Sequence, residues 1–254
     1  MKNNLISVDH LSLTLDGNKK VLNNIHFSIK SGETLLLCGK NGSGKSVLLR
    51  ALKGLIPIDE GSIFLDGKDL SRKPKIRNKE IALVFQDTDT QIVGQTVYKD
   101  LMFGLTNIGI TKRESETRII EVGSLLSITS ILHKNPMHLS GGEKRRVALG
   151  GVLVMKPRII FLDEPFANLD YPGITQVIDS IIALQESGAT IVIATHEIEK
   201  IAYHCHSLLV LEKGEVVASG KTEETLYTIQ DYGIHIPSMH GEPMSFNELS
   251  WRNE

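Results

Sequence analysis

Leu35-Leu36-Leu37-Cys38-Gly39-Lys40-Asn41-Gly42-Ser43-Gly44-Lys45-Ser46 is the stretch on which the fold turns. Its first four residues form a continuous apolar run, the pattern of a strand buried on both faces. The next eight match G-x-x-x-x-G-K-[ST]. A helix pattern follows at once in Val47, Leu48, Ala51 and Leu52. Phosphate oxygens need several backbone N–H groups converging on them, and glycine lets a chain curl that tightly. The helix start adds its partial positive charge. Lys45 supplies a point charge for β and γ phosphates, and Ser46 a hydroxyl for Mg²⁺. Shuffled chains of this composition give such a match in roughly 2% of cases, and the strand-before, helix-after context lowers that further.

Outward from this point the chain continues the same grammar. Ile159-Ile160-Phe161-Leu162 and Ile191-Val192-Ile193-Ala194 are further buried-strand runs. Between them Ile174, Val177, Ile178, Ile181 and Ile182 fall at helical spacing. Strand, helix, strand in this order predicts a parallel sheet with covering helices. Upstream, residues 5–38 read as β-rich. Leu11, Leu13 and Leu15 alternate with Ser12 and Thr14 before an Asp16-Gly17 turn, and Ile25, Phe27 and Ile29 alternate with His26 and Ser28 before Ser31-Gly32. The charged stretch from about Val97 to His138, with Lys112, Arg113, Glu114 and Glu116, reads as mostly helical and inserted into the sheet core. From about Leu226 periodicity fades, and Pro237, Pro243 and Trp251 lie in what reads as a C-terminal tail.

Composition sets the outer bounds. The 254 residues suffice for one well-buried domain; 41% are apolar and 23% charged, ordinary for a globular protein. A net charge of -2 gives no basic field for nucleic acid. Cys38 and Cys205 stand far apart, outside any C-x-x-C pair, which argues against a disulfide framework or zinc site and for a reduced, cytoplasmic setting. Cys38 itself reads as strand core. The first residues carry no signal-peptide pattern, and no stretch nears the ~20 apolar residues of a spanning helix.

Two carboxylates, Asp163-Glu164, end the second buried strand. Alone, Asp-Glu-Pro is an ordinary solvated turn. Downstream of a phosphate cradle, Asp163 is placed to hold Mg²⁺ and Glu164 to polarise the attacking water. His196 follows the third buried strand and is placed to sense the γ phosphate or orient water. Leu139-Ser140-Gly141-Gly142-Glu143 opens an apolar helix with Val147, Ala148 and Leu149, a second helix start fit for an anion.

That last motif, in this order with the others, resembles the signature of the ABC ATPases. The resemblance covers roughly residues 5–225 and implies an α/β fold. It has a P-loop NTPase core with a mostly parallel sheet, an N-terminal antiparallel β-subdomain and an inserted α-helical signature subdomain at about 97–150; residues 226–254 form the tail. It implies that ATP bound by Gly39 through Ser46 is completed by Ser140, Gly141 and Gly142 of a second ABC ATPase chain. Gln86, in Val84-Phe85-Gln86-Asp87, is similar to the Q-loop glutamine that touches Mg²⁺ and the transport subunit. Asp163 resembles the Walker B aspartate, Glu164 the catalytic base, Ala167-Asn168-Leu169-Asp170 the D-loop and His196 the switch histidine. Two positions depart from the family. Leu15 stands near where an aromatic residue usually stacks on adenine and offers apolar contact only. Glu143 stands where glutamine is commonest, a variant found in one branch.

Asp87-Thr88-Asp89-Thr90-Gln91-Ile92-Val93-Gly94, then Thr96-Val97, Asp100 and Phe103-Gly104-Leu105, resemble the energy-coupling factor branch, as does Leu139 to Gly151. This resemblance implies uptake of a vitamin or of cobalt or nickel ions, a transmembrane coupling protein, a substrate-binding membrane subunit, and a peripheral position on the cytoplasmic side of the membrane. Other ABC importers or exporters, and a soluble iron–sulfur assembly scaffold, are the alternatives. About 95 residues between Lys45 and Ser140 without sustained heptads leave no room for the coiled coil of the DNA-repair ATPases, and one cassette is too few for the tandem translation factors.

Overall fold

The protein is described from a computed structural model over residues 4–15, 17, 19–234, 236, 238–239 and 242–251; Met1 to Asn3, Asp16 and Pro237 lie outside the described residues. The buried runs form β-strands as their pattern requires. β1 (Asn4–Leu15) and β2 (Lys19–Lys30) pair antiparallel. β3 (Thr34–Cys38) leads through the glycine loop into α1 (Lys45–Lys53). β4 (Glu60–Leu65) and the short β5 (Lys68–Asp69) complete a four-stranded antiparallel sheet in the order β2-β1-β4-β5. After α2 (Pro74–Glu80) and β6 (Ile81–Val84) come three helices: α3 (Val97–Asn107), α4 (Lys112–Leu125) and α5 (Gly141–Leu153). β7 (Ile159–Asp163), α6 (Tyr171–Glu186), β8 (Thr190–Ala194), β9 (Ser207–Glu212) and β10 (Glu215–Lys221) follow.

The second sheet runs β10-β9-β3-β8-β7-β6, parallel throughout except for β10 at its edge. Its two faces explain the unbroken apolar runs. Leu36, Cys38, Ile160, Leu162, Ile191 and Ile193 face one core, which α3, α5 and α6 cover. Leu35, Leu37, Ile159, Phe161, Val192 and Ala194 face another, which α1 and the antiparallel sheet cover. Successive residues of a strand point to opposite faces, so a strand covered on both sides must be apolar at every position. The expected α/β architecture with its antiparallel N-terminal sheet and inserted helices is the one found.

Within the inserted region Thr96 and Thr111 cap α3 and α4 by accepting from the amides of Lys99 and Glu114. The stretch is mostly helical, as its sequence predicts, and breaks up only in its last part. α4 stops at Leu125, Ser127 turns left-handed (φ 52°), and up to Leu139 the chain makes only two short 3₁₀ turns, the second opened by Pro136. The segment after β10 is docked rather than loose. α7 (Thr222–Thr225) runs into a 3₁₀ turn, Leu226–Tyr232, and a two-residue pairing links β11 (Ser238–Met239) with β12 (Glu242–Pro243). Leu226, Ile229, Ile234, Ile236 and Leu249 are all buried in the first core.

Candidate active site

β3 delivers the chain to the glycine loop against the side of β9. At Gly39 (φ 152°) an added Cβ would stand 2.2 Å from the carbonyl oxygen of Leu211, so only glycine fits. Gly44 turns left-handed (φ 109°) to start α1. Lys45, first residue of that helix, is buried and donates to the Gly39 carbonyl at 2.7 Å. The hydroxyl of Ser43 is buried within the loop with no protein hydrogen-bond partner. A phosphate oxygen would satisfy that orphan group, and burying it otherwise costs about 1–3 kcal/mol. Around the loop lies a cavity of about 350 Å³ lined by Val21, Asn41 to Val47, Gln86, Glu164 and His196. Lys40 turns away: its ammonium lies against Gly233, and it lines a neighbouring cleft.

The tip of β7 brings Glu164 to this cavity and sets Asp163 against Ser46, and the tip of β8 brings His196. Ser46 donates to Asp163 Oδ1 at 2.8 Å. Burial pushes the Asp163 carboxyl above its usual range, opposed chiefly by that hydroxyl. With Gln86 this makes an all-oxygen, hard donor set of the kind that suits Mg²⁺. Glu164 leaves the strand with a left-handed backbone (φ 46°), a conformation costing about 1–3 kcal/mol for a non-glycine residue. The turn is held by its amide, which donates to the Ala194 carbonyl at 2.8 Å. Its carboxylate accepts from Thr195 Oγ1 at 3.0 Å, lies 3.1 Å from His196 Nδ1 and 3.5 Å from Lys45 Nζ. A carboxylate so held, beside a phosphate cradle and a histidine, can accept a proton from water.

The second helix start is elsewhere. Ser140 caps α5: its hydroxyl accepts from the Glu143 amide at 3.2 Å, and Glu143 Oε2 accepts from the Ser140 amide at 2.8 Å. This reciprocal capping box accounts for glutamate at 143, and the Ser140 amide holds that carboxyl below the usual range. Glu143→Gln keeps an acceptor and should shift unfolding by less than about 1 kcal/mol; Glu143→Ala should cost about 1 kcal/mol. Because the folded carboxyl titrates lower than the unfolded one, this contribution is present at neutral pH and fades as acid protonates the carboxylate. Thermal denaturation at pH 7 and pH 4 checks both.

Gly142 also has a packing reason, since a Cβ there would sit 2.9 Å from Gly173 Cα of α6. Gly141 borders a separate cleft with Gln86 to Asp89, Lys144, Arg145 and Ala167 to Leu169. Asp170 caps α6, accepting from the Gly173 amide at 3.0 Å. The residues singled out from sequence thus fall into two groups. Gly39 to Ser46, Gln86, Asp163, Glu164 and His196 converge, apart from the side chain of Lys40. Ser140, Gly141, Gly142 and Asp170 sit outside the phosphate cavity of their own chain.

Sequence reasoning passed over three contributors. Thr195 is fully buried and fixes Glu164. Arg145 is buried and donates to the carbonyls of Phe85 (2.8 Å) and Ala167 (3.5 Å), tying α5 to the segments beside Gln86 and Asn168. Lys144 pairs with Asp89 at 2.7 Å. Lys144 and Arg145 lie in a Lys-Arg-Arg run that reads as a solvated helix start, and a lone Thr before His carries no pattern; only the contacts distinguish them.

The chain is similar to several known proteins. A family model described as ABC transporter matches residues 22–167. The energy-coupling factor transporter ATP-binding protein EcfA1 of Streptococcus mutans is 36% identical over 245 residues, covering 93% of this chain and 87% of that protein. EcfA of Methanocaldococcus jannaschii is 35% identical over 223 residues, covering 85% and 80%. The solved structure of cbiO1 from Clostridium perfringens, described as part of the ABC transporter complex cbiONQ, superposes with a TM-score of 0.83 at 32% identity, covering 91% of this chain and 93% of that one.

Proposed function

The chain belongs to the ABC transporter ATP-binding family, and from that premise we propose that it is the ATPase of an energy-coupling-factor uptake system for a vitamin or a transition-metal ion. It is an ATP-binding, ATP-hydrolysing subunit of a transporter. The observation that carries the fuller reading is the separation of the two anion-gripping helix starts: Lys45 and Ser46 border the phosphate cavity, whereas Gly141 borders a different cleft. A site divided this way within one chain is completed by a second cassette, whether a copy or a paralogue.

In this reading the backbone amides of Gly42 to Lys45 and the Lys45 ammonium grip the β and γ phosphates of ATP. Ser46, Asp163 and Gln86 would hold Mg²⁺, which when bound would neutralise charge on the phosphates. His196 orients the attacking water and Glu164 takes its proton as the oxygen bonds to the γ phosphorus and the bond to ADP breaks. Ser140, Gly141 and Gly142 of the partner close over the γ phosphate, so ATP favours the closed pair and ADP does not. Asp170 fixes the start of α6 beside that junction. The loop after Gln86, with Asp87 and Asp89, is where a membrane partner docks.

Among the described residues no helix is long and apolar enough to cross a membrane; in this reading partner chains build the passage and the ATPase works from its cytoplasmic side. Solubilised from its native host, the protein should co-purify with a second cassette, a transmembrane coupling protein and a substrate-binding membrane subunit. Mass spectrometry of the complex should find a vitamin or transition metal. Recovery in a soluble complex with no membrane protein would favour the iron–sulfur scaffold alternative.

A further inference from the structure

The last described residues fold back onto the turn that follows His196. The Tyr203 amide donates to the Leu249 carbonyl at 3.0 Å, His204 Nε2 lies 2.7 Å from Ser250 Oγ, and the Tyr203 and Phe246 rings meet at 5.5 Å. Leu249 is fully buried beneath them. These anchors deliver Trp251 to the point where three functional stretches converge. Its amide donates to the Lys200 carbonyl at 3.3 Å, and its ring lies 4.8 Å from the Lys200 ammonium. Tyr171, which follows Asp170, packs on the same ring at 5.7 Å, and its hydroxyl donates to the Trp251 carbonyl at 3.4 Å.

Lys200 is the centre of this arrangement. It is 5% exposed, and its ammonium meets the Glu197 carboxylate and a second ring, that of Phe166, at 6.0 Å. A buried ammonium is tolerated only where carboxylate and aromatic faces replace water. Glu197 follows His196 directly, and Phe166 lies two residues beyond Glu164. The Trp251 ring therefore closes a clamp between the turn that carries the histidine and the turn that carries the carboxylate.

We propose that Trp251 is a positioning residue for ATP hydrolysis, holding His196 against Glu164 through Lys200. Without the ring, water reaches the Lys200 ammonium, the 198–200 turn loosens, and the 3.1 Å approach of His196 to Glu164 is no longer fixed. The contacts of Trp251 and Lys200 run to Glu197, Phe166 and Tyr171 rather than to Lys45 or Ser46, so nucleotide affinity is spared. This rests on the roles given to His196 and Glu164 above.

The test is steady-state hydrolysis by the assembled complex carrying Trp251→Ala, Trp251→Phe, Lys200→Met or the Ala/Met pair, with His196→Ala as control, each shown folded by thermal denaturation. Trp251→Ala should lower kcat about tenfold with KM changed by less than about twofold. Trp251→Phe should restore most of the rate, since a ring face returns. The Ala/Met pair should be no slower than its slower single variant, because both changes break one clamp. An unchanged kcat, a loss seen only in KM, a loss that phenylalanine does not restore, or additive losses in the pair would each overturn the assignment. Normal hydrolysis by His196→Ala would overturn it at its premise, by removing the role of the histidine itself.

Discussion

Glu164→Gln should lower kcat for ATP hydrolysis by about 10³-fold, within the range general-base catalysis supplies, and leave an ATP-bound pair of chains that size-exclusion chromatography resolves. The substitution is close to isosteric. The amide still meets the Thr195 hydroxyl, which now lies 3.0 Å from the carboxylate, so the left-handed turn keeps its side-chain anchor. What disappears is the negative charge facing Lys45 and the lone pair that takes a proton from water. Gripping of the phosphates by the glycine loop is untouched. Binding energy that normally leads to hydrolysis and release is then held in the closed state. Turnover near the unaltered rate would show that Glu164 is not the base.

Gly141→Asp should lower hydrolysis by about 10²- to 10³-fold while the single chain binds ATP as before, because setting like charges together costs several kcal/mol. The reason lies in what a helix start does. An aspartate in the first turn is comfortable for α5 itself, since it complements the helix dipole. The added Cβ meets the flexible end of Leu169 at 3.0 Å and the Asn168 carbonyl oxygen at 3.7 Å, an ordinary contact, and the backbone φ is not left-handed. The fold should therefore survive. An incoming γ phosphate instead faces a carboxylate where it needs amides. Equilibrium binding of a fluorescent ATP analogue, set beside the hydrolysis rate, separates the two effects. Weakened binding in the isolated chain would mean that Gly141 serves its own nucleotide.

The parts of this protein that were legible in its sequence share a physical cause. β3, β7 and β8 are covered on both faces, so each wrote an apolar run, and the phosphate loop follows β3 because a tight, amide-lined curve needs glycine at Gly39 and Gly44. The helix start at Ser140 is likewise local, whereas the capping box that Glu143 closes three positions on shows in the contacts. What stayed hidden depends on contacts between distant segments. The final stretch buries Leu226, Ile229, Ile234, Ile236 and Leu249 at irregular spacing because it wraps a surface rather than forming one long element. Thr195 and Arg145 matter through Glu164 and through the carbonyls of Phe85 and Ala167, none of them sequence neighbours in a pattern. Residues 126–139 carry apolar side chains into the core from 3₁₀ turns and coil, which a helical reading of the insertion smooths over.

The central claim is that the Lys45 cradle of one cassette and the Ser140 helix start of another enclose a single triphosphate. A structure of the Glu164→Gln assembly with Mg²⁺ and ATP tests it most directly. The account predicts the Ser140 hydroxyl and the Gly141 and Gly142 amides within hydrogen-bond distance of the γ phosphate held by the partner's glycine loop. ATP bound by a chain whose Ser140 helix start faces only solvent, with no second cassette opposite, would contradict it.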